Sequence, residues 1–386
     1  MPSAYNGRVR RATLGPGAVR VKDLVGAEPQ DVLVRGLVSV VIPSRDRAAL
    51  LVDAIASCAA QIWRRVEIIV VDDGSDEDLG AAVSKARARH GLDERVRCVR
   101  QEPRGGAAAR NLGLREARGE FVQFLDSDDV LHHEKLSLQV QRLMVRPHLD
   151  CALCLEELFD VTPGDRSVLW NVPTRADCPD DLDRFLIEDA PWSTGAPLWR
   201  RESLLRIGAW DETLTCWQDW QFHVQALGVG IRYEWVPRVL HYIREHNGPR
   251  SSRVRTLEAQ RSCFRAGLAA MESLRGRNLL TARRQSLLLR YFERHLETVA
   301  RIDDRGRARL VREMLSVMRP LARSPKRRVL LRILAAASGS RFLHRLVSLS
   351  RYRLEFGSPI VPMRATVSCA GLFERDGDSA SDESLP

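Results

Sequence analysis

Strand-like and helix-like patterns of apolar residues alternate along the first third of the chain. Helical spacing at residues 48–62 and 77–90, and small residues from position 105 onward, predict three helices. The short apolar runs predict buried strands at residues 38–43, 67–71, 95–100 and 119–125. This alternation predicts a parallel, doubly wound sheet with right-handed crossovers.

Polar and acidic residues follow three of these strands, at positions 44–46, 72–76 and 126–129. Because the carboxyl ends of parallel strands share one edge of the sheet, we expect these groups to converge where open α/β sheets bind ligands. The last group, Asp126-Ser127-Asp128-Asp129, offers the oxygen ligands that suit Mg²⁺ or Mn²⁺. The alternative is an acidic turn that caps the next helix.

Residues 104–113 combine small side chains with Arg104 and Arg110. The amino end of this helix and either arginine are suited to bind phosphate. A small-residue packing face with both arginines in solvent is the other interpretation. The stretch is neither a Walker loop nor a GxGxxG fingerprint.

The pattern becomes less regular after residue 150. Asp219 stands in the first turn of an amphipathic helix between Trp217 and Trp220, so we expect a partly desolvated carboxyl group with a raised pKa. A helix-start Asp that is favoured by the helix dipole is the alternative. The other predictions are strands at 151–161, 167–172 and 195–199, helices at 181–188 and 201–205, two edge strands at 231–235 and 239–244, and two or three helices within 256–318.

The amino-acid composition makes the chain cationic overall. The 386 residues include 60 basic and 50 acidic side chains, a net charge of +10, which favours an anionic partner without identifying it. Eight cysteines without regular spacing favour reduced thiols in a cytosolic protein, and Cys151 and Cys154 have the spacing of half a zinc site without a second pair. No apolar stretch reaches 18 residues and no signal-type segment is present, so we expect neither membrane spanning nor export by that route.

Ten Lys or Arg and no acidic residue lie between Arg319 and Leu354, interleaved with apolar residues. This spacing is typical of an interfacial helix on an anionic membrane, and it also fits a helix that packs on its own domain with a solvated basic face. The expected organisation is an N-terminal arm (1–36), a main domain (37–252), a helical basic region (253–356) and a disordered acidic tail (357–386).

Four ordered motifs, at residues 38–43, 67–75, 106–113 and 119–128, closely resemble the family-2 glycosyltransferases of GT-A fold. The resemblance continues to Asp219. It implies a GT-A-type mixed sheet with a Rossmann-like nucleotide-binding half and a helical C-terminal extension. It also implies transfer of a sugar, with inversion, from a UDP- or dTDP-sugar to an acceptor hydroxyl in polysaccharide, glycolipid or glycoprotein synthesis.

The resemblance further implies roles for individual residues. Asp219 falls where the family places its general base, in a motif usually written Glu-Asp, although Gln218 precedes it here. Asp128 would bind Mg²⁺ or Mn²⁺, and His246 lies in a loop that covers the diphosphate or touches the metal. Residues expected at the nucleotide-sugar are Pro43, Ser44 and Arg45 around the nucleoside, Asp72 facing the base, Asp126 near the ribose, and Asp73, Gly106, Arg110, Asn111 and Ser127.

Two other functions are alternatives to sugar transfer. A metal-dependent nucleotidyltransferase also uses carboxylate-held Mg²⁺, but an activating Lys motif is not evident beside the first strand. A nucleic-acid- or membrane-binding module would use the basic tail on a degenerate α/β scaffold, and the intact acidic motifs argue against it. We therefore expect a cytoplasmic enzyme, peripheral at the inner membrane face if the basic segment binds lipid, with no nucleic-acid partner.

Overall fold

The structure, a computed structural model, describes residues 33–92, 95–170, 172–245, 256–336, 338 and 347. The expected loop around His246 and the acidic tail lie outside these residues. The same is true of nearly all of the N-terminal arm and most of the basic segment beyond residue 336.

Four parallel strands form the first half of the sheet, in the order β3-β2-β1-β4. Most interior positions of the first, second and fourth of these strands along the chain are apolar, with Ser39, Glu67 and Gln123 as buried polar exceptions, and helices cover the strands as the alternating pattern predicts. The elements are β1 (Val34–Ser44), α1 (Ala48–Ala59), β2 (Val66–Asp73), α2 (Leu79–His90), β3 (Val96–Gln101), α3 (Gly106–Glu116) and β4 (Gly119–Phe124).

The second half of the sheet is mixed and continues from β4 in the order β8-β6-β9-β5. Strand β8 runs antiparallel to both β4 and β6, whereas β6 and β9 run parallel to each other. The elements are β5 (Val130–Leu131), α4 (Lys135–Val145), β6 (Cys151–Phe159), β7 (Val168–Leu169), α5 (Asp181–Leu186), β8 (Leu198–Arg200), α6 (Arg201–Ile207), α7 (Gln218–Gly228) and β9 (Tyr233–Arg244).

The prediction of two edge strands at 231–235 and 239–244 is wrong. One continuous strand, β9, lies inside the sheet between β6 and β5. Cys154 pairs with Val236 and Leu155 with Val239, so Pro237 and Arg238 form a bulge. Because proline has no N–H to donate, the bulge removes it from the ladder and lets the strand continue.

The acidic turn does not cap the next helix. Strand β5 lies between Asp129 and α4, and α4 begins after Glu134, whose side chain makes no capping hydrogen bond. Helix α4 itself was not predicted from the sequence. The capping interpretation of Asp126–Asp129 is therefore wrong, and these carboxylates have another role.

Four further helices follow the sheet: α8 (Leu257–Gly276), α9 (Ala282–Arg301), α10 (Arg307–Leu321) and α11 (Pro325–Ala336). Helix α8 packs against α7, and α9 packs against α5 and α8. The Trp220 ring of α7 stacks on Tyr291 of α9, with centroids 4.7 Å apart. The helix that carries Asp219 is thus part of the same core as the helical region. Among the described residues, no helix is both long and apolar enough to cross a membrane.

Gly113 lies where α3 packs closely on the sheet. A Cβ added at this position would lie 2.2 Å from Cγ1 of Val41 in β1. We expect Gly113→Ala to lower the free energy of unfolding by about 1–3 kcal/mol, because the buried strand cannot move aside. Gly276→Ala is the control, since no atom lies within 4 Å of its added Cβ. Equal urea denaturation midpoints for the two variants would contradict the prediction.

Candidate functional site

The ends of β1 and β2 lie side by side at the carboxyl edge of the sheet. Ser44 is directly opposite Asp72 in the ladder. Beyond the strands, the backbone N–H of Asp46 donates to Oγ of Ser75, and Oδ1 of Asp46 accepts from the N–H of Asp76. These cross-links connect the two polar segments predicted at 44–46 and 72–76.

Asp72 and Asp73 are both buried and both engaged with the protein. Asp72 accepts a hydrogen bond from the Ser75 N–H at 2.8 Å and forms an ion pair with Arg100. Asp73 accepts from the backbone N–H groups of Arg104 and Gly105, each at 2.8 Å, and thus holds the segment that enters α3. The contacts of these two residues with a nucleotide stay a prediction.

Three carboxylates of the turn after β4 converge. Oxygens of Asp126, Asp128 and Asp129 lie within 4.8 Å of one another. Arg110 Nη2 is 2.6 Å from Oδ1 of Asp126, and Arg47 Nη1 is 2.7 Å from Oδ2 of Asp128. The side chain of Asp126 is 43% exposed and that of Asp128 is 12% exposed. These two groups therefore offer oxygens at the surface of the site, with cationic side chains offsetting their repulsion.

The third carboxylate, Asp129, is directed into the protein. Its Oδ1 accepts from the backbone N–H of Arg244, and its Oδ2 lies 3.4 Å from Nε2 of His241. Nδ1 of the same buried imidazole is 2.8 Å from Oε1 of Glu156. Burial lowers the pKa of His241, but the neighbouring carboxylates of Asp129 and Glu156 outweigh it and raise the pKa to about 9. A buried imidazole with a raised pKa thus joins the acidic turn to β6.

This buried group, Asp129–His241–Glu156, was not identified from the sequence. Its members come from a turn, β9 and β6, and nothing in their local patterns connects them. The packing around it is close, because a Cβ added at Gly195 would lie 2.2 Å from Cε1 of His241. Glu156 also accepts a hydrogen bond from the backbone N–H of Ser193 at 2.7 Å.

Arg110 links the acidic turn to α7. Its side chain is only 7% exposed, and its guanidinium lies 4.8 Å from the centroid of the Trp210 ring. The interpretation of Arg110 as a solvent arginine is therefore wrong. Its Nε and Nη1 atoms are buried and have no hydrogen-bond partner among the described residues. A Cβ added at Gly106 would lie 3.1 Å from this Nη1 and 2.8 Å from Nε2 of Gln218, so both side chains lie close to that glycine.

Asp219 lies in the first turn of α7 and is solvent-exposed. The protein atoms around the carboxyl group nevertheless keep water away from part of it. This desolvation raises its pKa above the ordinary value of 3.8. A hydrogen bond from the Trp220 N–H and the charge of Arg110 oppose this rise, whereas Asp126 adds to it. The expected raised pKa is confirmed in direction. An accessible carboxylate of this kind is suited to accept a proton from a bound hydroxyl group.

The other predicted site residues have different surroundings. Asn111 is fully buried and exchanges hydrogen bonds with the backbone of Trp210, which fixes the loop after α6 on α3. Ser44 is buried, and its hydroxyl group has no hydrogen-bond partner within the part of the chain that the structure describes. Arg45 is exposed beside Asp46. Pro43 and Gly106 are partly buried at the ends of β1 and α3, Ser127 is buried in the acidic turn, and His246 lies outside the described residues.

The donor groups at the acidic turn fit Mg²⁺ or Mn²⁺, because they are carboxylate oxygens without a sulfur ligand. Asp126 and Asp128 would hold such an ion, since Asp129 is occupied by His241 and β9. A zinc site at Cys151 and Cys154 is not supported by their surroundings. Both are buried in β6, and burial raises the pKa of the Cys154 thiol to about 11, which disfavours the thiolate that zinc requires.

Residues 39–167 match the family model described as glycosyl transferase family 2. This segment is a family-2 glycosyltransferase domain. An uncharacterized glycosyltransferase of Rickettsia felis is 36% identical over 119 residues, which cover 31% of this chain and 19% of the relative. The Escherichia coli UDP-Glc:alpha-D-GlcNAc-diphosphoundecaprenol beta-1,3-glucosyltransferase WfaP is 32% identical over 105 residues, which cover 27% of this chain and 40% of WfaP. The chain thus spans less than half the length of each of these relatives.

The glycosyltransferase fold extends beyond the matched segment. The structure of S. aureus TarS residues 1–349 in complex with UDP superposes with a TM-score of 0.59, at 18% sequence identity, over 83% of this chain and 93% of that one. This similarity is one of fold. It confirms the GT-A-type mixed sheet with a helical C-terminal region.

Proposed function

We propose that the protein transfers a sugar from a nucleotide-diphosphate sugar to an acceptor hydroxyl group, with inversion at the anomeric carbon. The observation that carries this proposal is the arrangement around Arg110. Its guanidinium forms an ion pair with Asp126 of the acidic turn, and its charge also acts on the carboxyl group of Asp219. This arrangement supports a site in which one buried arginine lies near both the proposed leaving group and the proposed base.

The proposed donor is a UDP- or dTDP-sugar. Pro43, Ser44, Arg45 and Asp72 would surround the nucleoside at the ends of β1 and β2. The Nε and Nη1 groups of Arg110, which have no partner among the residues described, support a role at the diphosphate or the sugar, because such buried donors require an acceptor. A UDP-linked donor is also named for WfaP, the relative described above.

We propose that Asp126 and Asp128 hold one divalent cation, Mg²⁺ or Mn²⁺. When bound, the cation supplies positive charge that stabilises the departing nucleoside diphosphate. Arg47 and Arg110 already offset the charge of these carboxylates and keep them at the edge of the sheet. His246 is a further proposed ligand of the same ion.

Asp219 is the proposed general base. It removes the proton of the acceptor hydroxyl, whose oxygen attacks the anomeric carbon while the bond from that carbon to the diphosphate oxygen breaks. Attack from the face opposite the leaving group inverts the configuration in one step. A single base is sufficient, so the paired carboxylates of a hydrolase are not required.

The proposed acceptor is a glycan or lipid-linked glycan of the cell envelope, and the proposed location is the cytoplasm at the inner membrane face. The support is the diphosphoundecaprenol-linked substrate in the name of WfaP. We also propose that residues 37–252 form the catalytic domain, and that the helical region 253–356 helps to shape the acceptor side through its contact with α7.

Calorimetry with UDP, with and without Mn²⁺, tests the donor and metal sites together. We expect Mn²⁺ to strengthen UDP binding to the wild type, and Asp128→Ala to abolish this Mn²⁺-dependent part because it removes one carboxylate ligand. Asp303→Ala changes an exposed carboxylate in the loop between α9 and α10, and it should bind UDP with the same Mn²⁺ dependence as the wild type. Retained Mn²⁺ dependence in Asp128→Ala would refute the metal assignment. Absence of binding by every nucleoside diphosphate tested would refute the donor site.

A further inference from the structure

Helix α11 presents two chemically different faces. Leu331 and Leu334 are buried and face the helical core, where α11 packs against α10. On the same side, the Arg327 guanidinium forms an ion pair with Glu293 of α9 at 2.5 Å. These contacts fix the rotation of α11 about its axis, so the opposite face is directed outward.

An apolar stripe runs along the outward face. Val329 and Ile333 lie one turn apart and are each 54% exposed, and Ala336 continues the same line. These two β-branched side chains form an exposed apolar surface that packing among the described residues does not explain.

Cationic side chains border this stripe on both sides. At 100° per residue, Arg328 and Arg332 lie along one flank, and Lys326 lies along the other. All three are exposed. Together with Val329, Ile333 and Ala336, they form what we call the α11 outer face.

Acidic residues on the same element do not neutralise this face. Helix α11 contains none, and neither does the longer stretch from Arg319 to Leu354. Glu293 of α9 pairs with Arg327 on the inner side, and among the described residues Lys326, Arg328 and Arg332 form no ion pair. The outer face therefore keeps its positive charge.

We infer that the α11 outer face docks on the surface of an anionic lipid bilayer. The stripe enters the boundary between headgroups and acyl chains, while the three cations pair with lipid phosphates on either side. Because α11 is packed on α10, it lies in the plane of the surface and does not insert across it. A nucleic acid would use the cations but would have no use for the central apolar stripe.

This inference rests on α11 and not on the proposed transfer reaction. The α11 outer face and the acidic turn belong to different elements, so variants can impair either one alone. If the acceptor is lipid-linked as proposed, docking would bring the catalytic domain to the surface that contains it. Failure of docking would leave UDP binding intact, and failure of the transferase proposal would leave docking intact.

Flotation of the full chain with vesicles tests the inference. We expect binding to vesicles of phosphatidylcholine mixed equally with phosphatidylglycerol, and little binding to phosphatidylcholine alone. Arg328→Gln with Arg332→Gln should weaken binding about fivefold for each charge removed. Val329→Ser with Ile333→Ser should weaken it by at least about tenfold, because the apolar contact is lost.

Two matched double variants serve as controls. Met144→Ser with Val145→Ser removes exposed apolar side chains at the end of α4, and Arg275→Gln with Arg277→Gln removes exposed charges at the end of α8. Both should bind vesicles as the wild type does. All changed positions are exposed, and unchanged melting curves would show that each variant folds.

Three results would overturn the inference. The first is absence of binding to the anionic vesicles, and the second is equal binding by the α11 variants and their controls. The third is a different partner for this face. Light scattering that detects a dimer lost in Val329→Ser with Ile333→Ser would assign it to self-association, and tighter, competing binding of single-stranded RNA would assign it to nucleic acid.

Discussion

Replacing Asp219 by Asn is expected to lower turnover about a thousandfold while the affinity for UDP stays unchanged. The substitution keeps the shape of the side chain but removes its ability to take a proton, and a general base contributes about 10²- to 10⁴-fold to a rate. Stopped assays of sugar transfer give the turnover, and calorimetry with UDP gives the affinity. Asp211→Asn, in the loop before α7, is the matched control and should retain activity.

The pH dependence of turnover distinguishes a carboxylate that accepts a proton in the reaction from one that only supports the structure. The base acts when it is deprotonated, so activity falls as the pH decreases through its pKa. Because the pKa of Asp219 is raised, this loss should occur above the ordinary value of 3.8. The residual activity of Asp219→Asn should lack that acidic limb. Normal turnover by the Asn variant would exclude Asp219 as the base, and lost UDP affinity would indicate a disturbed donor site.

Replacing His241 by Leu is expected to lower the free energy of unfolding by about 3–5 kcal/mol. The imidazole is completely buried between Asp129 and Glu156, and these carboxylates raise its pKa, which favours the cationic form. Removing one member of a buried ionic group leaves the remaining charges without compensation, and that desolvation cost dominates. Urea denaturation measures the loss.

His148→Leu is the control for this change, because His148 is exposed in the turn after α4. It should leave the denaturation midpoint nearly unchanged. A midpoint for His241→Leu close to that of the wild type would show that Asp129 and Glu156 are stable without the cation. The buried ionic group would then contribute little to the fold.

The sequence predicted those parts of the fold in which each element has its own local pattern. Strands β1, β2 and β4 are apolar runs that end in polar residues, so both their existence and their convergence follow from the pattern. Strand β9 was divided into two because Pro237 ended the strand pattern, and only the neighbouring strands show that a bulge bypasses it. Helix α4 was missed entirely.

The same distinction applies to the candidate site. The acidic turn and Asp219 could be found because carboxylates at the end of a strand and at the start of a helix are local features. The contact between His241 and Glu156 joins residues 85 positions apart, and no local pattern indicates it. Asn111 could be located on α3 from the sequence, but its hydrogen bonds to Trp210 depend on a loop 99 residues later.

The carboxylate of Asp73 influences how fast a ligand can associate with the amino end of α3. It accepts hydrogen bonds from the backbone N–H groups of Arg104 and Gly105, so contacts within the protein hold the segment before α3. A preordered segment loses little conformational entropy when a ligand arrives, so the amino end of α3 can meet its ligand in a single encounter. Association at this end of the helix should therefore proceed at a rate set by diffusion and charge, with no slow rearrangement of the loop.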